Sequence, residues 1–214
     1  MSEGQIVLRP FHCQDLREVA TILAGSFEDK FSALAPLPRE KLIDFLIDSD
    51  LVQNEPFEGY MVDEFNQRCI GIMLLKWKNQ KRIKRTNRLY RLVKKYGLSV
   101  TLKLLFGMEM LKKHVTGNEC YIEHIAVSAD ARGMGVGSLL LEYGDKLAKT
   151  LPGNHILTLY VAKDNSRAFE LYKRQGFIVD KEFNSYITAK IFGKKKWLYM
   201  VRKGSPGTDD QSMQ

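Results

Sequence analysis

Three groups of residues are of types and spacings that could do chemistry. The first is a glycine turn, Ala131-Arg132-Gly133-Met134-Gly135-Val136-Gly137-Ser138, lying between a strand-like and a helix-like run. Glycines at alternate positions let a backbone come close to a ligand and leave its amides open. A helix starting there adds the positive end of its dipole. With the charge of Arg132, the turn suits a phosphate. It matches neither common phosphate loop: Ser138 stands where the dinucleotide fingerprint needs its third glycine, and no Lys–Ser/Thr pair follows as in the P-loop. The second group is Glu123 and His124, adjacent titratable residues in the run Tyr121 to Val127. The third is Tyr172, in the helix-like run after Asn165. Each has a plainer reading: Tyr172 packed in a core, Glu123 solvated or ion-paired, His124 packed or hydrogen-bonded. Glu119, Cys120 and His124 lack zinc-ligand spacing, so no metal site is expected.

The elements that must position these residues follow from hydrophobic period and turn signals. Gln5 to Arg9 alternates as a strand, and Asp15 is placed to cap a helix from Leu16 to Phe27. Pro36 and Pro38 precede a second helix, Arg39 to Ile47. Gly59 to Val62 and Cys69 to Trp77 form a hairpin turning near Asn66. Tyr121 to Val127 is a strand, and the glycine turn opens a helix running from about Val136 to Lys149. His155 to Val161 is a strand, Asn165 or Ser166 starts a helix through Arg174, and Gly176 ends it. Phe177 to Thr188 and Lys196 to Arg202 are the last two strands. The polar tail, Gly204 to Gln214, is expected to be disordered.

Taken together, these motifs resemble the GNAT family of N-acetyltransferases. That family's core signature is Gln or Arg, two residues, Gly, one residue, then Gly or Ala; Arg132, Gly135 and Gly137 fill it. Its second motif is matched by Asn165, Ala168, Tyr172, Gly176 and Phe177, about 30 residues downstream. The resemblance implies an α/β (α+β) fold: a mixed central sheet of six or seven strands flanked by about four helices. It implies acetyl-CoA as acyl donor, with its pyrophosphate on Arg132, Gly133, Met134, Gly135, Val136, Gly137 and Ser138. The pantetheine arm would pair with the backbone of Ile125, Ala126 and Val127, with Asn165 and Ala168 on its far side. The acceptor is a primary amine on a small molecule, peptide or protein. Attack requires a neutral amine, a donor for the developing oxyanion, and an acid for the leaving thiolate. The resemblance places a backbone N–H near Ile125 as that donor, Tyr172 as the acid and Glu123 as a base acting through water. Strand alternation puts Glu123 and Ile125 on one face unless a bulge intervenes.

Composition sets the limits. The 214 residues are 44% hydrophobic and 27% charged, which excludes a disordered or collagen-like chain. Three cysteines without pairing spacing fit reduced thiols in a cytoplasmic protein. The N-terminus lacks a secretory pattern, and no run reaches the roughly 18 apolar residues of a membrane span.

The net charge of +8 is concentrated in one place. Lys76 to Lys95 holds ten of the 33 basic residues and no acid, leaving 23 basic against 25 acidic residues elsewhere. This stretch reads as a basic amphipathic helix, followed by an apolar helix from Leu98 to Leu111 whose end Lys112, Lys113 and His114 suit. The resemblance does not cover it. It is therefore expected as a helical insertion between strands 3 and 4, residues 78–118 of one domain spanning 1–203. It could be a solvated face, a wall beside the acceptor site, or a patch for nucleic acid or an anionic surface. The last reading supports a competing function, a non-catalytic binding module. A homodimer is also compatible with the sequence.

Overall fold

The computed structural model describes residues 6–49, 60–65, 68–78, 88–110, 113–153 and 155–202. The tail and the basic residues Lys81, Arg82, Lys84 and Arg85 lie outside them, as does the turn at Asn66. The chain runs β1 (Val7–Pro10), α1 (Leu16–Ser26), α2 (Glu28–Leu34), α3 (Arg39–Asp48), β2 (Tyr60–Phe65) and β3 (Arg68–Trp77). Next come α4 (Arg88–Tyr96), α5 (Leu98–Met110), β4 (Glu119–Val127), α6 (Val136–Thr150) and β5 (Ile156–Ala162). It finishes with α7 (Ser166–Arg174), β6 (Phe177–Asn184), α8 (Tyr186–Phe192) and β7 (Lys196–Arg202).

One seven-stranded mixed sheet carries everything, in the order β1-β2-β3-β4-β5-β7-β6. Among the described residues β4 and β5 alone run parallel, pairing over Glu119–Tyr121 against Ile156–Thr158. Beyond Tyr121 the two strands diverge. β4 continues against β3 as far as Val127, while β5 continues against β7 as far as Ala162. The result is a V-shaped gap at the centre of the sheet. Two apolar cores cover the faces. One joins α1, α3 and the insert to the sheet through Phe45, Leu46, Leu92 and Leu104; the other joins α6 and α7 through Leu140, Leu141 and Tyr172.

Several elements depart from the pattern-based reading. α1 ends at Ser26, as its pattern indicates, but a further short helix, α2, follows Phe27. Asp15 makes no side-chain cap; its carboxylate takes a bidentate pair from Arg9 (2.7 and 2.8 Å) and a bond from the His12 amide. Burial pushes that carboxyl up, but these donors hold it below the usual range. The strand expected to reach Thr188 stops at Asn184, and Ser185 caps α8 by accepting from the Thr188 amide. Among the described residues six α-helices lie outside the insert, against about four expected, and α4 and α5 lie within it. Lys76 and Trp77 belong to β3, as expected, and of the basic stretch the helix α4 is described over Arg88–Tyr96. α4 is fixed to α3 by Asp48, which accepts from Lys95 (2.8 Å) and Tyr96 (2.6 Å).

Candidate active site

The glycine turn joins β4 to α6 through a short 3₁₀ turn. Gly133 (φ 96°) and Gly135 (φ 85°) hold left-handed backbone that side-chain-bearing residues rarely adopt. Gly137 answers to space instead: an added Cβ would lie 3.1 Å from Leu171. Two amides of the turn are engaged internally, Met134 to the Ala131 carbonyl (3.3 Å) and Ser138 to that of Gly135 (2.9 Å). Those of Gly133, Gly135, Val136 and Gly137 have no acceptor among the described residues. They form an anion cradle at a helix N-terminus, beside Arg132. The Met134 side chain is exposed and does not line the cleft.

The cradle opens into a cleft of about 1190 Å³ that includes the gap between β4 and β5. Ile125, Ala126 and Val127 line it from β4; Asn165, Ala168, Leu171 and Tyr172 line it from α7. Asn165 caps α7 by accepting from the Ala168 amide (3.3 Å), so that amide is engaged. Tyr172 is buried against Phe177, ring centroids 5.8 Å apart, and burial pushes its hydroxyl up to about 12.

A β-bulge reshapes β4 at its centre. Ile122 stands opposite Leu75 and His124 opposite Leu74, which leaves Glu123 without an opposite residue. Simple alternation is therefore overturned. Ile122 and Ile125 share the α6 side, while His124 and Ala126 face the α1 side. Glu123 forms a close ion pair with Lys76, both largely shielded from solvent. His124 is pushed down to about 3, by burial first and then by Lys76 and Lys30. It is thus a neutral imidazole at physiological pH.

Sequence reasoning missed the groups on the α1 side of the cleft. Lys113 leaves the end of α5 and extends over three tyrosine rings, 4.2 Å from Tyr199, 5.3 Å from Tyr160 and 5.4 Å from Tyr121. It also pairs with Glu119 (2.7 Å), which accepts from the Tyr199 hydroxyl as well. Burial pushes Glu119 up, but Lys113 and Tyr199 outweigh it and hold the carboxyl below its ordinary value. Lys30 lies over Phe27 and Trp197 (4.9 and 5.6 Å) and is pushed down by burial and by Lys194. Tyr160, Phe183, Tyr199 and Trp197 sit on β5, β6 and β7, outside the residues of either motif. Their only sequence signal is an aromatic content of 10%.

The chain belongs to the acetyltransferase (GNAT) family, whose sequence model matches residues 17–177. No curated protein matches it significantly. Its fold is shared with many solved structures. One is an acetyltransferase of 24% identity, with a TM-score of 0.65 over 93% of this chain and 100% of that one. An N-acetyltransferase from Staphylococcus aureus Mu50 is 19% identical, with a TM-score of 0.63 over 91% and 99%. The ribosomal-protein-S18-alanine N-acetyltransferase from Escherichia coli is 15% identical, with a TM-score of 0.51 over 98% and 100%.

Proposed function

We propose that the protein is an acetyl-CoA-dependent N-acetyltransferase acting on a primary amine, and that residues 1–203 form one catalytic domain. The observation that carries this reading is the continuity between the open-amide cradle and the gap between β4 and β5. The cradle suits the pyrophosphate of coenzyme A. The gap suits an extended arm lying beside Ile125, Ala126 and Val127 as an added strand. The acyl group then lies near the bulge, where a β4 amide can stabilise the oxyanion.

Tyr172 is the proton donor to the departing thiolate. Its hydroxyl stays protonated throughout the physiological range, as an acid must. Glu123 is the base, acting through water, with its carboxylate positioned by the ion pair with Lys76. His124 is too weak a base for that role. Acetyl-CoA supplies the activated thioester; the residues named bind, orient and move protons around it.

Release of free coenzyme A thiol, measured against a panel of amines, tests the reading. Amine-dependent release is expected, and none with any amine from a folded protein would overturn it. Glu123→Gln is expected to lower kcat/KM about 10²-fold near neutral pH, with part of the rate recovered at high pH as the amine deprotonates unaided. An unchanged pH profile would remove Glu123 from the role of base.

A further inference from the structure

Helix α5 is apolar on both sides. Its inward side is accounted for: Thr101, Leu104 and Gly107 are buried, and Gly107 lies so close to Leu34 that an added Cβ would fall 2.3 Å from it. Its outward side is not. Leu98, Leu102, Phe106 and Met110 recur every fourth residue and are 59%, 49%, 53% and 37% exposed. Leu89 and Tyr90 on the contacting helix α4 are 52% and 71% exposed. A surface helix normally turns polar residues to water; an outward apolar stripe of this length marks something that binds there.

The charge around the stripe indicates the partner. Arg91, Lys94, Lys95 and Lys103 are exposed on the same two helices, against Glu109 as the one acidic residue of that pair. The partner must therefore offer both negative charge and apolar depth. A nucleic acid offers the charge, but nothing to cover four aliphatic or aromatic side chains in a helical row. An anionic bilayer surface offers both. At 13 residues α5 is too short to span a bilayer, and no described helix is long and apolar enough to cross one.

We propose that α4 and α5 form a docking face for an anionic lipid bilayer, with α5 lying in the interface plane. Gly107, Met108 and Met110 of α5 also line the cleft. Docking on this face therefore sets the mouth of the cleft at the level of the lipid headgroups.

The test is co-sedimentation of the full chain with phosphatidylglycerol–phosphatidylcholine vesicles and with pure phosphatidylcholine vesicles. Binding to the anionic vesicles is expected, weakening as salt is raised. Leu102→Ser with Phe106→Ser should lower the partition about tenfold or more, as loss of two large apolar side chains from burial requires. Arg91→Gln with Lys94→Gln should lower it too. All four residues are exposed, so circular dichroism and the thermal transition should match the wild type. The proposal is overturned if the anionic vesicles do not bind, or if the Ser variants bind them unchanged. It is also overturned if light scattering shows a dimer that the Ser variants dissociate, or if duplex DNA binds in preference with the Ser variants unaffected.

Discussion

His124 and Tyr172 are both held by burial in their uncharged forms, and each gives a separate measurement. For His124, the folded imidazole takes a proton only near pH 3, against an ordinary 6.5 in the unfolded chain. Between those values the unfolded chain binds the extra proton, so stability falls as pH drops from about 6.5 toward 3. The slope is at most on the order of 1 kcal/mol per pH unit, because the residue is partly open to the cleft. Denaturant unfolding at pH 7 and pH 5 should show a smaller loss in His124→Gln than in the wild type; equal losses would mean the imidazole is not held neutral. Tyr172→Phe keeps the ring against Phe177 and removes only the hydroxyl. Turnover should fall about 10²-fold with the KM for acetyl-CoA little changed. A matching loss in affinity would make Tyr172 a binding residue instead.

The elements that carry the site differ in how far the sequence revealed them. The glycine turn was legible because its requirements are local: positive φ at Gly133 and Gly135 cannot be met cheaply by other residues. Gly135→Ala should cost about 1–2 kcal/mol of stability from that strain alone. It should also weaken acetyl-CoA binding in titration calorimetry, because the neighbouring amides lose their alignment; unchanged affinity would place the anion elsewhere. The helix at Asn165 was legible for the same reason, its cap being three residues away. The bulge at Glu123 was not, because it exists only in the pairing of β4 with β3. α8 was hidden because Tyr186, Ile187 and Thr188 form an aromatic and β-branched run that a strand would also favour. The Ser185 cap at one end and Gly193 at the other settle it as a helix. Lys113 illustrates the same limit. Its spacing suggested a helix-end charge, whereas Glu119 and three tyrosines from separate strands decide where it goes.

At the scale of the molecule, the insert contributes to the core as well as to the surface. Leu92 and Leu104 are fully buried in the same cluster as Phe45 and Leu46. Leu104→Ala should therefore cost about 2–5 kcal/mol in denaturant unfolding, far more than a serine at exposed Leu102. The short pairing of β4 with β5 has a dynamic consequence. Among the described residues three pairs stitch β1–β4 to β5–β7 within the sheet, so amide hydrogens near the gap should exchange with solvent through local opening rather than global unfolding. An extended ligand in the gap would act as a missing rung. Acetyl-CoA should then slow exchange selectively at Ile122 to Val127 and raise the thermal transition in proportion to the logarithm of its concentration.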